Sequence, residues 1–185
     1  MPRENHLISP ILFTQSTTIT VQAPARICFF GDHQDYLGLP VIAGTIDRYI
    51  KIKAIPNNEN HYFIQLLDLN KQITINLNEN SKSIEAEDYY RSCMAVLTKE
   101  GAVFTQGYTI EISGTIPVNA GVSSSSALVV AWLRFLIQAQ EATWEVAGSQ
   151  IGECAYQSEV IFFNQPGGLM NQYTIAQGGM IFIDT

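Results

Sequence analysis

Hydrophobic spacing changes character between the two parts of this chain, and that change limits what it can fold into. Up to residue 113, apart from helical spacing at 84–99, the apolar positions alternate or come in short β-branched runs, as strands require. From residue 123 onward they recur at helical spacing. Residues 17–22 read as a strand, 23–26 as an interruption at Pro24, and 27–30 as a short buried strand. Residues 31–38 form a polar loop between glycines. A long strand is predicted over 41–55, with Tyr49, Lys51 and Lys53 on one face and Ile50, Ile52 and Ala54 on the other. Residues 61–67 and 72–77 read as a hairpin pair, 84–99 as a helix stopped by Gly101, and 107–113 as another strand. Helices are predicted over 123–140, 144–162 and 169–177, with a turn at 164–168 and a last strand at 180–183. Strands first and helices second predict an α+β fold, a mixed sheet with helices packed on one side.

Hydrophobic residues make up 46% of the 185 and charged residues 15%, enough apolar material for a real core in one domain. A net charge of −7 without a basic stripe argues against nucleic-acid binding. No apolar run reaches the roughly 18 residues of a membrane span, and the first residues lack the pattern of a secretory signal. Three scattered cysteines, Cys28, Cys93 and Cys154, fit neither a disulfide framework nor a zinc site. They point to buried, inert thiols in a reducing cytoplasm.

Two segments carry chemistry. Residues 116–128 read Ile-Pro-Val-Asn-Ala-Gly-Val-Ser-Ser-Ser-Ser-Ala-Leu, a strand end and a glycine turn that enter a long apolar helix through four serines. The first amides of a helix lack internal partners, and the helix dipole adds positive potential there. Gly121 lets a phosphate approach the backbone, and Ser123, Ser124, Ser125 and Ser126 add hydroxyls, which makes a phosphate cradle. A plain serine cap is the competing reading, although one serine would suffice for it. The loop matches neither the Walker A nor the dinucleotide fingerprint. Earlier, Arg26, Asp32, His33, Asp35 and Tyr36 fall within eleven residues. Two carboxylates and an imidazole on a short loop suit a polyhydroxylated ligand. A metal site and a solvated turn are the alternatives.

Together these segments resemble the GHMP kinases, and within them the galactokinase branch. Pro24-Ala-Arg26, Gly31-Asp-His-Gln-Asp-Tyr36 and Ile46-Asp47 resemble the galactokinase signature. Residues 117–128 resemble the central phosphate motif of the family, and Gly167-Gly-Leu-Met-Asn-Gln-Tyr173 a third galactokinase block. The resemblance covers residues 18–185 and implies the N-terminal domain of a kinase that transfers phosphate from ATP, with Mg²⁺, to a monosaccharide hydroxyl. It implies that Gly121 and Ser123 to Ser126 wrap the triphosphate, with Ser125 and Glu159 on the metal. Arg26 would assist the reacting hydroxyl, and Asp32, His33, Asp35 and Gly168 would contact the sugar. It also implies a C-terminal ferredoxin-like domain that these 185 residues do not contain. A partner chain or self-association through an exposed apolar face is therefore expected.

Three positions depart from the pattern. Asn171 stands where galactokinases carry the catalytic Asp, and an amide cannot take up the proton of a sugar hydroxyl. The chain could be a silent sugar- or nucleotide-binding relative, a kinase that works without a base, or a deliberately inactivated variant. Asp32 replaces a Glu, shortening its reach, and Asn119 replaces a Gly of the phosphate motif.

Overall fold

The computed structural model describes residues 17–78, 84–117, 120–140 and 145–184. Among them, β1 (Ile19–Phe30), β2 (Val41–Pro56), β3 (His61–Leu66), β4 (Lys71–Asn76), β5 (Tyr108–Gly114) and β6 (Met180–Ile183) form one mixed sheet. Its order is β1-β2-β5-β3-β4, and β6 pairs with the first residues of β2. Only β3 and β5 run parallel among these pairings. Helices α1 (Tyr89–Lys99), α2 (Ser124–Gln138), α3 (Gly148–Tyr156) and α4 (Met170–Gln177) complete the α+β architecture. Lys51 and Lys53 stay exposed while Ile52 and Ala54 are buried, so one face of β2 meets the helices, as the alternation predicts.

Helix α2 is apolar almost all round because it lies in the middle of the molecule. It packs on β1 and β2 and is covered by α1, α3 and α4. Ala23 and Ala25 of β1 are fully buried and leave room for it. At its centre Trp132 meets Tyr62, Tyr90 and Phe135 edge-on or tilted, and its indole N–H donates to the Tyr90 carbonyl at 3.1 Å. Trp132→Ala is expected to cost about 3–5 kcal/mol of stability, read as a lower midpoint in urea or heat. A loss below 1 kcal/mol would contradict this packing.

Several boundaries differ from the sequence reading. The first strand is not interrupted at 23–26. It runs from Ile19 to Phe30, with a register shift between Pro24 and Ala25. An edge strand tolerates proline at such a bulge, where no ladder bond is required. Residues 27–30 are not all buried either, since Phe29 and Phe30 are exposed. The helix expected over 84–99 starts at Tyr89, because the Asp88 carboxylate accepts the Arg91 backbone N–H at 3.1 Å and caps it there. The helix expected over 144–162 begins at Gly148 and passes at Gln157–Ile161 into a π-helical turn. Trp144 and Asn119 lie outside the described residues. Cys93 is buried and Cys28 and Cys154 are half-buried, all three as free thiols pushed up chiefly by burial.

Candidate active site

The serine loop enters α2 through two residues with left-handed backbone, Gly121 (φ 68°) and Ser123 (φ 59°). Ser123 occupies the cap position, yet its hydroxyl makes no capping bond; only its carbonyl accepts, from the Ala127 N–H at 3.0 Å. The plain-cap reading requires that missing bond. Ser123 and Ser124 are half-buried, Ser125 is exposed and Ser126 is buried in the packing. An anion at this helix start would therefore meet Ser123, Ser124 and Ser125 first.

The polar loop lies against the start of α4. Asp35 opens a short turn, Asp35–Leu37, and its Oδ2 accepts the Met170 backbone N–H at 2.9 Å. A Cβ on Gly168 would overlap the Asp35 carboxylate, so glycine is required there for this approach. Asp32 and His33 are more exposed, with 3.6 Å between His33 Nε2 and Asp32 Oδ2. Arg26, Asp32, His33, Asp35, Tyr36, Met170, Asn171 and the 166–168 turn enclose a cavity of about 530 Å³. All four expected sugar contacts, Asp32, His33, Asp35 and Gly168, line it together with Arg26 and Asn171. Tyr36 lines it too. Pro166 and Met170 carry no chemical signature, and the sequence reading missed them.

Arg26 joins the two halves of the site. Its Nε donates to Asn171 Oδ1 at 2.7 Å and its Nη1 to the Gly121 carbonyl at 3.0 Å. Its backbone N–H donates to the Val122 carbonyl at 3.2 Å. Burial pulls the guanidinium pKa down, and Asp32, Cys28, Asp35 and Glu159 oppose that shift. An arginine stays protonated through such changes. Arg26, a cation, therefore lines the polar cavity and also bonds to the serine loop.

Glu159 sits in the π-helical turn and is 6% exposed, not a solvated helix carboxylate. Its Oε2 accepts from Gln172 Nε2 at 2.8 Å. The turn packs against α2. Among the described residues no group of three or more His, Cys, Asp or Glu could hold a metal ion, and no helix is long and apolar enough to cross a membrane.

Comparison with known proteins shows the family and the fold. The model of the GHMP kinases N terminal domain matches residues 88–179, and that of the galactokinase galactose-binding signature matches residues 12–54. The chain belongs to the GHMP kinase family. A galactokinase of Thermococcus kodakarensis is 29% identical over 168 residues, covering 89% of this chain and 47% of its own. A mevalonate kinase of Pyrococcus furiosus is 26% identical over 175 residues, covering 90% of this chain and 52% of its own. The fold matches the crystal structure of Lactococcus lactis galactokinase complexed with galactose, with a TM-score of 0.78 and 21% identity over 90% of this chain and 44% of that one. This GHMP kinase chain thus spans about half the length of the curated relatives it matches.

Proposed function

We propose that the protein transfers the terminal phosphoryl group of ATP to a hydroxyl of a monosaccharide, as a galactokinase-like sugar kinase. One observation carries this reading: Arg26 bonds at once to the anion-ready loop at Gly121 and Val122 and to Asn171 in the polar cavity. Phosphoryl transfer needs two ligands held in line and developing charge neutralised, more than covalent help. The triphosphate lies on the α2 amides and the hydroxyls of Ser123, Ser124 and Ser125. The sugar lies in the cavity, its hydroxyls donating to Asp32 and Asp35 and meeting His33, with Gly168 keeping Asp35 in place. Of the five guanidinium N–H groups of Arg26, two are engaged and three remain for the ligands.

The donor set fits a divalent cation. Mg²⁺ usually takes one or two carboxylates, with phosphate oxygens and water completing its shell. Glu159 and Ser125 would supply the protein's part, and a buried amide oxygen of Gln172 next to Glu159 lacks a partner. When bound, Mg²⁺ neutralises phosphate charge. The sugar oxygen forms its bond to phosphorus as the bond to ADP breaks. Asn171 Oδ1 is occupied by Arg26, so the sugar proton leaves with the transferred phosphate or to water. The three free cysteines support a reducing, cytoplasmic location.

A second reading, a silent sugar- or nucleotide-binding relative, is favoured by Asn171 alone. Calorimetry of the full-length protein with Mg-ATP and a hexose panel, followed by assay for sugar phosphate, separates the two. The kinase reading expects binding of both ligands and slow product formation. Binding without product supports the silent relative, no nucleotide binding contradicts the kinase reading, and binding of neither ligand contradicts both.

A C-terminal domain of the kind the relatives' greater length suggests, or a second copy, would cover an apolar stripe. Register sets Phe30, Ile42 and Phe182 side by side, and Phe30, Met180 and Phe182 are 71%, 71% and 65% exposed. The 185-residue chain is expected to self-associate in sedimentation, and Phe182→Glu to reduce this. Equal monomer fractions would contradict a role for that stripe.

A further inference from the structure

Gln172 is 1% exposed, and its side chain explains only half of its own placement. Nε2 donates to Glu159 Oε2 at 2.8 Å, while Oε1 is buried without any partner. The reverse amide orientation would turn Oε1 onto the carboxylate, two acceptors facing each other, so the observed orientation is the one chemistry allows. Buried polar groups in native proteins are nearly always paired, and an orphan calls for a reason. Here the orphan stands beside a buried carboxylate, on a π-helical turn packed against the helix that the serine loop opens. Such turns recur at functional sites.

Resting on the kinase reading above, we propose that Gln172 is a positioning residue for the divalent cation. It would hold one oxygen of Glu159 and leave the other free for the metal. Outer partners of this kind set ligand orientation, and their loss typically weakens metal binding by about 10–100-fold. Glu159 and Gln172 come from two elements, the turn and α4. The same helix carries Asn171 and, at its start, the amide that receives Asp35. Metal and sugar sites are thereby set on one helix.

The test is Gln172→Met in the full-length protein, which keeps length and removes donor and acceptor. Mn²⁺ affinity in the presence of a non-hydrolysable ATP analogue is read by electron paramagnetic resonance, and analogue affinity in EDTA by calorimetry. The expected result is Mn²⁺ binding weakened by about 10–100-fold, with metal-free nucleotide affinity unchanged. Should this variant not fold, Gln172→Asn, which keeps the amide but shortens its reach, is expected to weaken Mn²⁺ in the same direction. Mn²⁺ affinity within about twofold of the parent in a folded variant overturns the proposal. So does a parent protein that binds the analogue but shows no metal-dependent gain. A parent that binds no analogue at all overturns the kinase reading as well.

Discussion

Asn171→Asp in the full-length protein is expected to raise turnover by about 10²–10⁴-fold, the usual worth of a positioned general base. Position 171 already touches Arg26 Nε at 2.7 Å and lines the cavity, so a carboxylate there would need no rearrangement. It would accept from Arg26 with one oxygen and offer the other to the sugar hydroxyl. The ion pair would also be stronger than the present bond to a neutral amide. The pH profile is a second readout. A carboxylate beside Arg26 titrates below its ordinary range, and the base is active only when ionised. The variant should therefore gain an acidic limb in kcat, rising with pH, that the parent lacks. A variant with unchanged turnover and no new limb would remove position 171 from the chemistry and favour a binding role.

The second large effect concerns Arg26. Arg26→Ala is expected to lower kcat/KM by about 10³-fold or more, on the scale of arginines that stabilise phosphoryl transfer. Three bonds meet at this residue, two from the guanidinium and one from the backbone, and alanine keeps only the last. Arg26→Lys retains the charge but not the two-directional reach to Asn171 Oδ1 and the Gly121 carbonyl, so only partial recovery is expected. Steady-state kinetics on both variants, with nucleotide and sugar affinities measured separately, would check this. Full activity in the alanine variant would contradict a role at the junction.

Much of the site was legible because its residue types answer chemical demands. Gly121 and three accessible serines suit a phosphate, Asp32 and Asp35 suit hydroxyls, and glycine at 168 permits the approach of Asp35. The strand and helix order was legible because periodicity carries it. Other features depend on neighbours distant in sequence. Pro24 looked like a break, yet it sits at a bulge on an edge strand, and edge position cannot be seen before the sheet is assembled. Phe29 and Phe30 looked like core, but at that end of β1 they remain exposed. The π-helical turn that carries Glu159, and the Gln172 amide that meets it, join residues 13 apart across a turn that spacing alone does not describe. Arg26 was expected near the reacting hydroxyl, but its bond to Gly121, 95 residues away, gives it the joining role.

The proposed transfer requires a triphosphate on the serine loop and a sugar in the Asp35 cavity, bridged by Arg26. A crystal structure of the full-length protein with galactose and a non-hydrolysable ATP analogue tests it most directly. The terminal phosphorus is expected about 3–3.5 Å from a sugar hydroxyl oxygen, with the Arg26 guanidinium touching both ligands. A nucleotide bound away from residues 121–125, or a sugar outside the cavity of Asp35 and Gly168, would contradict it.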